Sequence, residues 1–374
     1  MPTPLTAIIA DAIRSHGPIT VAEYVELALY HPEHGYYSAA ERRSGREGDF
    51  FTAVDLGPVF GELLAVQVAE MLPHVGGPPF DLVEAAAGSG RLSRALLDHL
   101  ERLSPETYAA TRVHLVERSP AALAAQAAVL GRHAARVASS GPRLPGTIRG
   151  VVFANELLDA LPPHLVVMRK EGLREVHVGL ADEALVPLER APSTPALQAY
   201  LERAGARLEP GWFAEVNLAA RAWVGEAARA LDCGFLLLLD YGHEASQLYG
   251  AAHPSGTLTT FRRHAAEDHA SGPSWLREPG ERDITSHVDL TTLRLAGEAA
   301  GLDHLGTVDQ TYFLLGLVGA IESSLAEPGA LERRLALKTL LLPGGLGSTH
   351  KAAVFGRGVG RPALAGLGGR RRLT

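Results

Sequence analysis

The chain has 374 residues, 46% hydrophobic and 21% charged, the balance of a globular protein with a sizeable core and not of a disordered or fibrous one. Its formal net charge of -7 supplies no positive field to gather phosphates, so nucleic acid is a disfavoured partner. No run approaches the roughly 18 apolar residues of a membrane span, and the one cysteine, Cys233, cannot form an internal disulfide, which fits a reducing cytoplasm.

In chain order, the first residues carry Asp11 and a lone Arg14 in a helical pattern, unlike a signal or transit peptide, so no leader is expected. Two short helices over 5–30 are broken by Gly17 and Pro18, and Thr20 with Glu23 three residues on forms a capping box for the second. His31 to Asp55 is rich in glycine and aromatic residues without periodicity, a long loop of the kind that is usually functional. A helix from about Pro58 to Met71 ends at a hinge marked by Pro73, Gly76, Gly77, Pro78 and Pro79.

Beyond the hinge, short β-rich runs alternate with helices, the pattern of parallel strands joined by crossovers. Strands are predicted at 80–85, 112–117, 150–155 and 235–240, with a weaker one near 135–139, and helices at 91–103 and 119–131. A helix at 289–300 and strands at 303–309 and 351–356 complete a set of seven strands, the last as an antiparallel edge. Two excursions interrupt the sheet: a hairpin at 164–180 turning at Gly172, and a loop-rich, histidine-bearing insert over 243–288. The expected organisation is a helical cap and loop over 1–75, a Rossmann-like α/β core over 76–356 with insertions at about 164–212 and 243–288, and a flexible tail over 357–374.

Chemistry concentrates where the predicted strands end. Leu82 to Gly90 reads as a strand running into a glycine turn and then a helix, with Gly88 and Gly90 letting a ligand touch backbone. Dehydrogenases, methyltransferases and plain tight turns all use such a turn. Glu84 favours a cationic ligand, because a carboxylate there would repel a pyrophosphate on the helix N-terminus, whereas S-adenosylmethionine presents an ammonium and a sulfonium. Glu117 ends the next strand and can accept both ribose hydroxyls of an adenosyl group; a simple charge before the following helix is the alternative.

Asn155, Glu156 and Asp159 follow the fourth strand, over the carboxyl edge where open α/β sheets bind ligands, or else favour the start of a short helix. If 156–159 is a helical turn, its two acids share a face and can hold one guanidinium in bidentate geometry. Asp240-Tyr241-Gly242-His243 ends the fifth strand, either as a cap or as a catalytic group. In Asp283 to Asp289, Ser286 or Asp289 caps the next helix, and His287 stays a weaker candidate. Among 16 histidines there is no HExxH spacing, and there is no GxSxG elbow, so neither a metal nor a hydrolase site is expected; His264 and His269 read as surface histidines.

Taken together, "GPITVAEYVELALYHPEHGYY", "GDFFTAVDLGPVFGELLA", "LVEAAAGSGRL", "VHLVERSP", "ANELLDALP", "DYGH" and "DITSHVDL" resemble the MidA family, the mitochondrial complex I assembly methyltransferases and their bacterial relatives, over nearly the whole chain. The resemblance implies a seven-stranded class I methyltransferase fold with S-adenosylmethionine as cofactor. It gives Asp49 and Phe50 a place in a loop closing over that cofactor, or else packing the first helices. Since the mitochondrial relatives methylate protein arginine, it also implies a partner protein whose guanidinium is held by Glu156 and Asp159. Where the family usually has glycine-proline-glycine, this chain has Ala86, Ala87 and Gly88. A small-molecule methyltransferase and an assembly protein that binds the cofactor without turnover stay open, as does a homodimer.

Overall fold

The apolar run 235–239 has no polar break and calls for burial on both faces. In the computed structural model, which describes residues 3–38, 52–262, 265–266, 273–327, 329–342 and 349–368, all five of its side chains are at most 3% exposed. The run lies at the centre of one of two compact units. The sheet unit comprises Thr52–Leu157, Gly225–Tyr241 and Gly297–Thr374; the other comprises Met1–Phe51, Leu158–Val224 and Gly242–Ala296.

The main sheet contains β1 (Phe80–Ala85), β2 (Thr111–Val116), β3 (Val137–Gly141), β4 (Ile148–Asn155), β5 (Leu231–His243), β6 (Asp303–Asp309) and β7 (His350–Arg357), in the order β3-β2-β1-β4-β5-β7-β6. Strands β1 to β5 pair in parallel, and β7 runs antiparallel to both its neighbours. The expected place of 351–356 is corrected by this order: β7 is antiparallel but lies inside the sheet, and β6 is the edge. The residues give the reason, since β7 is buried along nearly its whole length while every residue of β6 keeps some exposure.

Helix Arg91–Leu103 follows β1 and packs with Val59–Met71 over the sheet. Phe60, Leu63, Leu64, Leu96 and Leu100 meet Phe153, Phe235, Leu237 and Leu239 in one core. Removing this apolar surface from water is the main stabilising term, at about 1.5–3 kcal/mol per large side chain. From β7 the chain continues to 368, where the Gly366 N–H donates to Gln67 Oε1 at 3.0 Å and the Ala365 N–H to Glu70.

In the other unit the hairpin appears as expected, His164–Arg169 pairing antiparallel with Gly172–Ala181 from Arg169 opposite Gly172. Ile19–Thr20, Ala184–Arg190 and Phe213–Val216 complete an antiparallel sheet. Side chains alternate across a strand: Leu165 and Val167 join Leu5, Ile9, Tyr24 and Leu29 of the first two helices, while Val166 joins Leu197, Tyr200 and Val216 on the opposite face. The Thr20–Glu23 capping box is present, and Asp289 Oδ1 accepts the Thr292 N–H at 3.1 Å, capping Leu290–Ala299.

Candidate active site

Strand order reverses direction between β1 and β4, which makes the carboxyl ends of β1, β2, β4 and β5 the place where an open α/β sheet binds its ligand. Leaving β1, the backbone turns through three left-handed residues, Ala86 (φ 57°), Gly88 (φ 51°) and Gly90 (φ 85°), before Arg91–Leu103 begins. The Ala87 N–H donates to Val116 O at 3.0 Å, and the Gly90 N–H to Ala87 O at 2.8 Å. A Cβ on Gly88 would meet no atom within 4 Å, so the turn keeps a bare backbone facing open space.

Glu84 sits differently from the sequence expectation. Its side chain is 4% exposed, and its Oε2 accepts the Ser93 N–H at 3.0 Å and the Ser93 hydroxyl from the first turn of the helix. Burial pushes its carboxyl up to about 8. Through Oε2, Glu84 therefore ties the strand to the helix start.

Glu117, half-buried at the end of β2, accepts three backbone donors: Gly88 N–H on Oε2 at 2.8 Å, and Arg118 and Ser119 N–H on Oε1 at 2.7 and 2.8 Å. A carboxylate has about four lone-pair sites, so capacity remains for a hydroxyl donor. The same turn is braced by a residue that sequence reasoning passed over. Gln126 Nε2 donates to Gly88 O at 2.9 Å, while its Oε1 accepts the Ser140 hydroxyl at 2.6 Å. Its only signal is that it is the single polar side chain in the helix PAALAAQAAVL, Pro120–Leu130.

At the end of β4, Glu156 is held at φ 51°, a second strained non-glycine residue beside the same edge. Its N–H donates to Leu239 O at 2.9 Å, and Asn155 Nδ2 donates to its Oε1 at 3.3 Å. His350, at the start of β7 and 5% exposed, brings Nε2 to 3.7 Å from Glu156 Oε1 and packs its ring edge-on against Tyr241 at 5.4 Å. His350 was missed, because only the antiparallel return of β7 carries it to this edge, beside the Tyr241 already singled out at the end of β5. Asp240 Oδ1 accepts the Tyr241 N–H at 2.9 Å.

The expectation that Glu156 and Asp159 share a helical face is corrected. Residues 156–160 are bends and turns, and the left-handed Glu156 cannot begin a right-handed helix. Asp159 belongs to the other unit, where its Oδ2 accepts the Thr285 hydroxyl at 2.9 Å and its carbonyl accepts the Ser286 N–H at 3.4 Å. Asp49 and Phe50 lie outside the described residues.

An adenosyl sulfonium ligand fits this edge. The turn offers bare backbone at Gly88, Glu117 keeps acceptor capacity beside it, and the buried Asn155 Oδ1 has no hydrogen-bond partner, leaving an acceptor for an N–H donor. The family model described as "Putative S-adenosyl-L-methionine-dependent methyltransferase" matches residues 63–308. The chain belongs to this family. Its cofactor is S-adenosylmethionine, and its sheet is the class I methyltransferase fold. A solved superfamily member from Burkholderia thailandensis, bound to S-adenosyl-homocysteine, superposes with a TM-score of 0.87 at 32% identity, covering 98% of this chain and 97% of that one. A second structure from that organism gives a TM-score of 0.84 at the same identity.

Among curated proteins, the mitochondrial protein arginine methyltransferase NDUFAF7 homolog of Drosophila melanogaster is 32% identical over 338 residues, 82% of this chain and 73% of that protein. The human mitochondrial NDUFAF7 is 29% identical over 339 residues, 83% and 73% respectively. The expectation of a cytoplasmic protein is corrected by these relatives, which are named as mitochondrial. A lone cysteine argues against an internal disulfide and carries no information on compartment beyond that. Among the described residues no helix is long and apolar enough to cross a membrane.

Proposed function

We propose that this methyltransferase acts on an arginine side chain of a partner protein. The similarity to named protein arginine methyltransferases over 82% of the chain carries the reading, and an acid at the methyl-transfer edge supports it. Guanidinium is planar, stays charged at pH 7 and presents forked donors suited to carboxylate. Glu156 is the acid assigned to orient it, steadied by Asn155 and His350. Asp159 is reassigned to fixing the 158–161 turn, through Thr285 and Ser286.

For the cofactor, Gly88 supplies the close backbone approach, Glu117 accepts from a ribose hydroxyl and Asn155 Oδ1 accepts from an N–H; Gly90, where a Cβ would meet Leu115, Leu130 and Gln126, completes the turn, and Glu84 ties it to the helix start. When bound, S-adenosylmethionine supplies an electrophilic methyl group on a positively charged sulfur. The protein's own task is then to localise the guanidinium charge away from the attacking nitrogen and to align that nitrogen, which is the work given to Glu156.

The test is incubation of the purified chain with methyl-labelled cofactor and a proteome extract, followed by mass spectrometry of the labelled species and gel filtration for the homodimer alternative. Methylarginine in a protein, lost with Glu156→Gln while S-adenosyl-homocysteine binding is kept, is the expected outcome. Label in lysine or a small molecule refutes it.

A further inference from the structure

We propose that His243, His253 and His287 form a binding site for a divalent transition metal ion, zinc in the first place. No HExxH or paired-cysteine spacing announces such a site; strand pairing creates it. His243 ends β5, whose last two residues pair in parallel with Val288–Asp289, Gly242 opposite Val288 and His243 opposite Asp289. That register puts His287, the residue before Val288, beside His243. His253 arrives from the turn after the short helix Ala245–Leu248, where its N–H donates to Gly250 O at 3.0 Å. The three imidazoles are all half-buried, and each offers a ring nitrogen within 4.8 Å of the others. Ring centroids lie 5.2, 5.2 and 5.9 Å apart.

Tetrahedral zinc with Zn–N of about 2.0–2.1 Å needs ligand nitrogens roughly 3.3–3.4 Å apart. The observed ceiling of 4.8 Å exceeds that spacing by up to about 1.5 Å, which the side chains must close on binding. Imidazole nitrogens suit zinc, copper and nickel, and a three-histidine set leaves a fourth position for water.

Two further observations separate this trio from a casual stack of surface rings. First, His253 Nδ1 lies 3.2 Å from the Gln247 carbonyl oxygen, which can only accept, so Nδ1 carries the proton and Nε2 keeps its lone pair. A ligating histidine is commonly oriented by such a bond to a backbone carbonyl. Second, the backbone under His287 is pinned: its N–H donates to Thr257 Oγ1 at 3.0 Å, and that hydroxyl donates to the buried Glu215 at 3.0 Å. Glu215 also accepts the Thr257 and Leu258 N–H groups, each at 2.9 Å. Bound metal would clip together three segments spread over residues 243 to 287.

The experiment uses the untagged full chain, stripped with a chelator and dialysed. Zn²⁺ is titrated in competition with a chromogenic chelator, and Co²⁺ is added separately to read coordination from its visible absorption. The expected result is one Zn²⁺ per chain and a Co²⁺ spectrum of tetrahedral type. Affinity should fall by about tenfold or more in His253→Ala and His243→Ala. Cys233→Ser should bind like the parent, which excludes the lone thiol as the ligand. Far-UV circular dichroism of the metal-free variants shows whether each has folded, and His253→Gln serves if alanine does not. The proposal is overturned if the parent chain takes up no Zn²⁺, or if the folded histidine variants bind as tightly as the parent.

Discussion

Glu84→Gln isolates the work of a single buried carboxyl. In the folded chain burial raises this acid from 4.5 to about 8, against the opposing hydrogen bonds from Ser93. Below about pH 4.5 the group is protonated in both folded and unfolded chains, and its contribution to stability is whole. As the pH rises from about 4.5 to about 8, the unfolded chain ionises while the folded chain holds its proton, and stability is lost. At about 1.36 kcal/mol per pKa unit the loss approaches roughly 5 kcal/mol. The positive end of helix Arg91–Leu103, whose Ser93 N–H points at Glu84, favours the ionised form, so that figure is a ceiling.

Glutamine has no proton to exchange and keeps an acceptor for the Ser93 N–H. The variant should match the parent near pH 4.5 and become progressively more stable than it toward pH 8. Urea unfolding of both ligand-free proteins at several pH values measures the difference. Binding of S-adenosyl-homocysteine, followed by calorimetry, should change little, because glutamine keeps the side-chain oxygen that accepts from Ser93 and so keeps the turn in place. Parallel stability curves across this range, or a large loss of affinity in the glutamine variant, would refute the argument.

Four further outcomes are expected. Ala86 occupies a left-handed conformation with φ 57°, so Ala86→Gly should raise unfolding free energy by up to about 1 kcal/mol. Gly88→Ala meets no protein atom and should cost a similar amount, and any loss of S-adenosyl-homocysteine affinity beyond that reports the ligand's approach to this backbone. Glu117→Ala removes the acceptor for three backbone N–H groups and should weaken S-adenosyl-homocysteine binding by about ten- to a hundredfold; an unchanged dissociation constant places the ribose elsewhere. Glu156→Gln should leave cofactor binding and melting temperature near parent values while lowering turnover on the arginine acceptor by about a hundredfold, and wild-type turnover would remove Glu156 from the mechanism.

The order of elements was legible in the chain itself. Strands buried on both faces read as apolar runs, and β1, β4 and β5 stand where "FDLVEA", "VVFAN" and "CGFLLLLD" predict them. Strand ends were legible too, because a strand turning into a helix needs glycine or a left-handed residue and leaves polar groups at the sheet edge. Gly88, Gly90, Glu117, Asn155 and Glu156 all lie at that edge.

What the chain alone could not decide was where each side chain points and what lies across from it. Glu84 is a strand-end acid in the sequence, but only the packing of the helix start over β1 directs it to Ser93. Spacing suggested a helical face for Glu156 and Asp159; the left-handed backbone at Glu156 and the Thr285 hydroxyl on Asp159 remove it. Helix and strand patterns are local, set by side chains a few residues apart. The place of β7 inside the sheet, the His350–Glu156 approach and the meeting of His243, His253 and His287 are non-local, fixed by which strands pair and in what register, so they exist only once the chain has folded.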